Sequence, residues 1–533
     1  MNPRSSAGHQ PGWIPKLSLC LIPAAVVALA LILARAQGPY SNSQNLDPDY
    51  NYLFNSLNLL MLRAPRHIDH PGTTVQELGA VAVLVKRVAE RIEGDERPLE
   101  VAVLTEPEDY LRTINTSLAT ILGTTMVAAG LAMLQTTGSL IAAVLLQSGV
   151  FFFLELQLAL PRVSPEPLLL AIVYAMMVPL IPALLDPKRA FKFGAATTGA
   201  LWGFGVVTKL TFLPLALVAL VFPGWRSKAR FAVAASIAAV VFSIPIWTQL
   251  GYVGGWLYRI LTHSERYGNG PVGLPSSDAV LANARDLFHR EPLLLPLFAI
   301  YAAVLIVLAL QSNRGPFTGA MRRIWWIGLV VIAIQLTASL KHYFPRYMLP
   351  AMALMLMMNS LLFLWIRSAE PSSSIRIPLA ILAAAIFLGG IGNTIIELPR
   401  WAQHWQLYTE EAHKLDADRK AQGDCMSIGY YSSSLPSFSL AFGSEYSGAI
   451  HGRMLKRLYS DQIHFNRFGG GFRSFSMEGR LKAVEEHLQK GGCVLLQGGG
   501  ITAGEKLVPG EFVLEPISHY TMESLYRLRL ANH

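Results

Sequence analysis

Residues 191–223, FKFGAATTGALWGFGVVTKLTFLPLALVALVFP, decide how the chain is laid out. About 30 residues is long for one bilayer crossing, which takes ~20 apolar residues as a helix. Lys209 stands in the middle and Pro214 follows it. A charge at the bilayer centre is costly. Two short helices, near 191–207 and 210–223, place Lys209 at a membrane surface instead. That choice changes the number of spans by one, and with it the side on which every later loop emerges.

Working outward, apolar runs lie at Leu17 to Ala36 and near 112–134, 138–159, 166–185, 230–249, 292–311, 324–340, 347–366 and 377–396. The first exceeds the apolar region of a signal peptide, so Ala34-Arg35-Ala36 reads as part of a retained helix and not as a cleavage site. Basic residues then arbitrate. Arg4 and Lys16, Lys188/Arg189/Lys192, Arg226/Lys228/Arg230, Arg314/Arg322/Arg323 and Arg367/Arg376 all fall on one side if 191–223 is a hairpin. A single helix there splits them. Basic loops belong in the cytoplasm. The sequence therefore predicts an all-α polytopic membrane domain of about eleven spans in a bacterial inner (plasma) membrane. Its N-terminus is cytoplasmic and its C-terminus outside.

Composition agrees. Only 15% of the 533 residues are charged and 52% are hydrophobic. That excludes a disordered chain, a collagen and an ordinary soluble enzyme, and three cysteines exclude a disulfide scaffold. The net charge of +9 resides mainly in the cytoplasmic loops, so it is a topology signal and gives no support for nucleic acid.

Three longer segments fall outside: 37–111, 250–291 and the tail. In the first, Thr73 to Arg91 has an amphipathic pattern, fitting a helix on the membrane surface or one packed on the protein's own core. In the tail, Met477 to Lys490 reads as a helix, Gly491-Gly492 as its stop, Cys493 to Gln497 as a buried strand and Gly498 to Gly500 as a turn. The domain reading is 1–397 in the membrane and 398–533 as a small periplasmic α/β domain. Cys425 and Cys493 share that domain, where a disulfide is chemically allowed. Cys20 reads as packing.

Ionisable residues at membrane level are candidate functional groups. On the predicted outer face these are Asp47, Asp49, His67, Asp69 and His70, with Tyr52 between them. Arg162, Glu166 and Lys209 follow. Next come His263, Glu265, Arg266 and Tyr267, then Lys341, His342, Arg346 and Tyr347. Glu155, late in the third span, is within reach of Lys209 or Arg162, and Arg162 and Glu166 fit a mutual pair. A carboxylate takes a proton from an attacking hydroxyl or amine, and Lys and Arg neutralise a departing phosphate. His67-Ile68-Asp69-His70 offers metal-ligand types in a spacing that fits no standard site. No cofactor is expected, and a divalent metal stays open. The bland readings are an Asx-Pro turn at Asp47-Pro48, an interfacial arginine at Arg346 and a Gly-rich loop at 263–270.

Four motifs occur in order on that face. They are Asp47-Pro48-Asp49-Tyr50-Asn51-Tyr52, His70-Pro71-Gly72, Val207-Thr208-Lys209-Leu210-Thr211 and Pro345-Arg346-Tyr347-Met348-Leu349-Pro350. Over roughly residues 15–400 the chain resembles the GT-C membrane glycosyltransferases, in the branch of protein O-mannosyltransferases and lipid A aminoarabinose transferases. The resemblance implies an inverting transferase that moves a sugar from a polyprenyl-phosphate donor to a glycan, lipid or protein acceptor on the periplasmic face. Asp47 or Asp49 would be the base, and Arg346, Lys341, His342 and Lys209 the donor-phosphate ligands. Tyr52, His70, Arg162, Glu166, His263, Glu265, Arg266 and Tyr267 would line the cavity. The chain departs from the family in having Asp-Pro-Asp for adjacent acids, His-Pro-Gly for His-Pro-Pro, and Leu210 for the hairpin glycine. The rival readings are a lipid-linked substrate flippase or transporter, and a catalytically degenerate scaffold of the same fold.

Overall fold

The structure, a computed structural model, describes residues 13–42, 46–69, 71–186, 192–310, 316–367, 376–430, 432–460, 462–466, 471–500 and 512–531. The side chains of 46–48, of Arg266 and of parts of 316–320 and 376–386 fall outside that description, as do His70, Lys188, Arg189 and Arg314. The chain is a helical bundle of apolar helices followed by a mixed sheet, as its apolar runs and its tail imply.

Among the described residues, five helices are long and apolar enough to cross a bilayer: Trp13–Ala36, Pro107–Thr137, Pro165–Leu185, Met321–Lys341 and Pro345–Arg367. Two bent pairs raise the number to seven if each is one span: Trp225–Phe242 with Ile244–Thr262, bent by 72°, and Ser277–Arg290 with Leu294–Leu310, bent by 91°. The expected figure of eleven is thus not reproduced.

The third expected span, 138–159, is in pieces. Leu140–Ser148 is a helix, Gly149–Phe152 a 3-10 turn and Leu154–Ala159 a second short helix. The buried Glu291 carboxylate accepts the Leu154 and Glu155 N–H groups at 3.2 and 2.6 Å. It caps the restart of the helix, so the break leaves no orphan donors. The last span does not stop at 396. Arg376–Ala421 runs as one helix of 46 residues through the anticipated domain boundary.

The hairpin at 191–223 forms as expected. Gly194–Thr208 is a helix, and Leu210–Val221 continues as a 3-10 helix containing Pro214. Between them Lys209 is extended, at φ −163° and ψ 135°. The first arm packs on Trp225–Phe242 backbone to backbone. A Cβ at Gly199 would stand 2.1 Å from the Phe231 carbonyl oxygen, and one at Gly203 would stand 2.2 Å from that of Ala235. Glycines four apart allow this close approach between helices.

Thr73–Ile92 is the amphipathic helix. Its Val75, Gly79, Ala82 and Val83 face the core, while Val81, Leu84, Val85, Val88 and Ile92 are exposed.

The tail carries a six-stranded sheet in the order β3-β2-β1-β4-β6-β5. The strands are β1 (Met426–Gly429), β2 (Ile463–Phe465), β3 (Phe472–Ser474), β4 (Val494–Gly498), β5 (Phe512–His519) and β6 (Ser524–Leu530). Strand β1 is parallel to β2 and β4, and the remaining pairs are antiparallel. Strand β4 falls where the sequence indicated. The preceding helix, Leu481–Gln489, starts later than expected, because Met477 adopts a positive φ of 64° within a turn. Cys425 and Cys493 form a disulfide. It ties the end of the long helix to the start of β4. The sheet has its own core of Ile428, Tyr430, Val484, Val494, Leu496 and Leu528. Leu440, Ala441, Leu455 and Phe475 instead join the main core.

His464 on β2 is buried, and among the described residues neither ring nitrogen has a hydrogen-bond partner. Burial, with Arg473 adding to it, pushes its pKa down to about 4. The unfolded chain, with an ordinary value near ~6.5, then binds more protons than the folded one between those values. Stability therefore falls as pH drops through this window. Between pH 7.5 and pH 5 the sheet is expected to lose about 2 kcal/mol. His464→Leu should flatten the loss, read as pH-dependent hydrogen exchange at the β1, β2 and β4 amides.

Candidate functional site

Asp49 lies near the start of the helix Leu46–Leu60, and its carboxylate is fully buried. One oxygen takes Arg162 Nε at 2.9 Å and Arg162 Nη2 at 2.8 Å. The other accepts the Val163 backbone N–H at 2.6 Å. This forked grip is the strong form of a charged hydrogen bond. The approach to Asp49 is fixed by Glu108, which accepts the Tyr40 and Ser41 N–H groups at 2.8 and 2.9 Å and the Tyr50 hydroxyl at 2.9 Å.

Arg162 and Glu166 do not pair with each other, contrary to the sequence reading. The turn at 161–164 and the helix start at Pro165 send them to different partners. Glu166 is buried in the first turn of Pro165–Leu185. It meets Lys209 Nζ at 2.5 Å and Arg346 Nε at 3.8 Å. Lys209 leaves the helix because its own backbone is extended, and its Nζ also stands 5.1 Å from the centre of the Tyr347 ring. Its backbone bridges to Pro71, and Thr74 donates to Thr208 at 2.7 Å. The first outer segment is thereby strapped to the hairpin tip. Arg346 comes from the 3-10 turn Pro345–Met348 and lies over the Phe344 ring, 4.0 Å from its centre.

These charges border one cavity of about 400 Å³, onto which Arg162, Glu166 and Arg346 all face. Asp49 backs Arg162, and Lys209 backs Glu166. The lining also includes Glu155, Asp286, Arg290, Tyr343 and Trp401. Glu155 partners Arg290 at 3.9 Å, and not Lys209 or Arg162. The sequence reading missed Asp286, Arg290, Tyr343 and Trp401. Signals for them existed: Asp286 and Arg290 are one helical turn apart, and Tyr343 sits between Lys341 and Arg346.

Other candidates lie away from the cavity lining. Lys341 Nζ donates to the Ile260 and Leu261 carbonyls at 3.0 and 2.6 Å, capping the C-terminal end of Leu250–Thr262. The two His342 ring nitrogens face the Glu265 and Ile260 carbonyls, each at 2.6 Å. His263 contacts the Thr262 hydroxyl at 2.8 Å. Glu265 and Tyr267 both adopt positive φ, 61° and 60°, in a tightly folded loop. Tyr52 is buried, with its ring edge-on to His67 at 5.4 Å and its hydroxyl under Gly72. Gly72 has φ 70°, and a Cβ there would stand 3.0 Å from that hydroxyl. The Asp47 and Arg266 side chains and all of His70 are outside the described residues. Among those described, no three His, Cys, Asp or Glu side chains cluster to hold a metal ion.

No family model matches the chain, and no curated protein does. Two solved structures resemble it. ArnT from Cupriavidus metallidurans bound to undecaprenyl phosphate is 9% identical with a TM-score of 0.48, over 94% of this chain and 97% of that one. The same protein in the apo state is 11% identical with a TM-score of 0.49, over 96% and 98%.

Breaking a buried ion pair costs ~3–5 kcal/mol because one charge is stranded, whereas removing both partners is far milder. Lys209→Met should therefore melt well below the wild type in detergent. Lys209→Met with Glu166→Gln should recover most of that loss. A double variant no more stable than the single would show that the pair is not a buried unit.

Proposed function

We propose that the chain is an integral-membrane inverting glycosyltransferase that moves a sugar from a polyprenyl-phosphate donor to an acceptor at the periplasmic face. The observation that carries this reading is convergence. Four stretches of chain bring Asp49 to Arg162, and Lys209 and Arg346 to Glu166, and Arg162, Glu166 and Arg346 face one cavity. The disulfide Cys425–Cys493 supports an oxidising compartment for the tail.

The chemistry follows from the charges. An acceptor hydroxyl or amine attacks the anomeric carbon from the face opposite the phosphate. Its proton passes to a carboxylate, and the bond from the anomeric carbon to the phosphate oxygen breaks. The electron pair leaves with the phosphate, which gains one negative charge. Arg346 and Arg162 are the cations that face the cavity and are placed to take up that charge, with Lys209 behind Glu166.

Asp49 is the described carboxylate of the first outer segment held against the cavity by an arginine. The donor phosphate competes with Asp49 for Arg162, and a guanidinium drawn onto phosphate leaves Asp49 free to accept the proton. Asp47 stays open as an alternative base. The positioned cations supply the neutralisation, so the reading requires no cofactor. Lys341 and His342 hold the end of the 250–262 helix and are not phosphate ligands in this reading.

The assay is release of polyprenyl phosphate from a polyprenyl-phospho-sugar by purified protein with acceptor. Arg346→Ala is expected to lower kcat/KM by about 10²–10³-fold. Asp47→Ala with Asp49→Ala should abolish transfer in a protein that still inserts. Asp49→Asn and Arg162→Ala should be strongly non-additive, the double variant being little worse than either single. Full activity in the Asp47/Asp49 double variant, or lipid scrambling without release, would overturn the reading.

A further inference from the structure

The carboxylates at and beside the cavity are held by hydrogen-bond donors, with one exception. Asp49 has the Arg162 fork and the Val163 N–H. Glu166 has Lys209 Nζ at 2.5 Å. Asp286 accepts Arg290 Nε at 2.9 Å and also the Tyr343 hydroxyl. Glu291 accepts the Leu154 and Glu155 N–H groups. Glu155 differs. Among the described residues its carboxylate accepts no hydrogen bond, and the group at ion-pair distance is Arg290 Nη1, 3.9 Å away.

That guanidinium is a weak partner. It is 40% exposed and already bonded to Asp286, so water and Asp286 answer much of its charge. The Glu155 side chain itself is only 12% exposed. The other ionisable groups facing it are Arg346 from the 345–348 turn, Glu166 from the start of Pro165–Leu185, and Asp286, Glu291 and Tyr343. Helix Arg376–Ala421 also packs on Leu154–Ala159, and among the described lining residues it brings Trp401 and no ionisable group. Glu155 is thus a poorly hydrated anion that faces three carboxylates and two guanidiniums.

The charge balance of the site makes this consequential. Its lining sets Arg162, Arg290 and Arg346 against Glu155, Glu166 and Asp286, and behind them Lys209 offsets Asp49. With every carboxylate ionised the sum is zero. A phosphodiester seated on Arg162 and Arg346 adds one negative charge, and an uncompensated charge in a partly buried site is costly. One proton restores the balance, and it goes where ionisation has least support. When the arginines turn to the phosphate, Asp49 keeps the Val163 N–H and Glu166 keeps Lys209. Asp286 is 44% exposed to water. Glu155 has none of these supports, and neighbouring negative charge favours its neutral acid.

Resting on the transferase reading, we propose that Glu155 is the group at which the cavity takes up a proton when the donor phosphate binds. The proton comes from water, and no bond of the donor breaks in this step. Taken up at Glu155, it leaves Asp49 ionised and able to receive the proton of the acceptor.

The test is binding of polyprenyl methyl phosphate to the full chain in detergent across neutral pH. This diester lacks the second ionisation that a monoester shows near pH ~6, so a proton taken up belongs to the protein. Wild-type affinity should weaken with rising pH, by about tenfold per unit where the curve is steepest. Calorimetry in buffers of different ionisation enthalpy should count about one proton taken up per lipid at that point. Glu155→Gln, a permanently neutral replacement, should bind at every pH about as tightly as the wild type does at the acid end and take up no proton. That binding also certifies its fold. Glu155→Asp should keep the slope. A wild-type affinity that is flat with pH, with no proton counted, would overturn this proposal alone, whether or not the variants fold. So would a Glu155→Gln variant that keeps the wild-type slope, since the proton then resides elsewhere. A wild type that binds no diester at any pH would overturn the transferase reading, and the proton uptake with it.

Discussion

A charge buried in an apolar bundle must be paired, and around the cavity of this chain that rule fixes the architecture. Asp49, Glu166 and Lys209 are almost wholly removed from water, and Arg162 and Arg346 are half-buried beside them. Water would solvate each better than protein does unless an opposite charge stands at contact distance. Asp49 therefore fixes where Arg162 can be, and Lys209 fixes Glu166. Four stretches distant in sequence are pinned to one another. The interaction is poor as a source of net stability, since desolvation consumes most of it. It is effective as a specifier of position, because any misplacement strands a charge.

Backbone geometry delivers those charges. Lys209 reaches Glu166 only because the helix stops there and resumes as a 3-10 helix. The stop is held from both sides. Gly199 and Gly203 let the first arm lie directly against the Trp225–Phe242 backbone, and Pro71 bridges to Lys209 from the first outer segment. A side chain at either glycine would clash with the facing backbone and push the arm away from it. The arm ends at Thr208, so such a shift would carry Lys209 with it. Small residues inside the hairpin thus control electrostatics at its tip.

Much of this was legible in the sequence, and the unequal result has physical causes. Apolar length and basic loops located Trp13–Ala36, Pro107–Thr137, Pro165–Leu185 and the 191–223 hairpin, because these depend on transfer free energy summed along the chain. The broken segment 140–159 escaped that logic. Its break depends on Glu291 reaching two N–H groups from 136 residues away, which no local window contains. The same holds for the site. Asp49, Arg162, Glu166, Lys209 and Arg346 stood out as charges at membrane level, yet their partners were misassigned where nearness in sequence was used as a guide. Asp286, Arg290 and Trp401 were passed over for a different reason. Each lies on a helix face whose pattern equally fits an ordinary solvated surface.

The tail completes the frame around Asp49. Helix Leu46–Leu60 carries that residue, and its other face is bound by the C-terminal segment. Asn55 donates to the Tyr446 carbonyl and Asn58 to that of Ser447, each at 3.1 Å. His451 is fully buried between Asn58 and Glu100, at 2.9 and 2.7 Å. Gly443 packs closely on Tyr50 and Phe54, where a Cβ would stand 3.2 Å from the Tyr50 carbonyl oxygen. The helix is thus held between Arg162 at its start and the tail along its length. The long helix Arg376–Ala421 contributes Trp401 to the cavity and then leads into β1. The same stretch of chain that supplies Trp401 to the cavity therefore sets where the sheet begins, and the Tyr446 and Ser447 carbonyls of the tail return to bind the helix that carries Asp49.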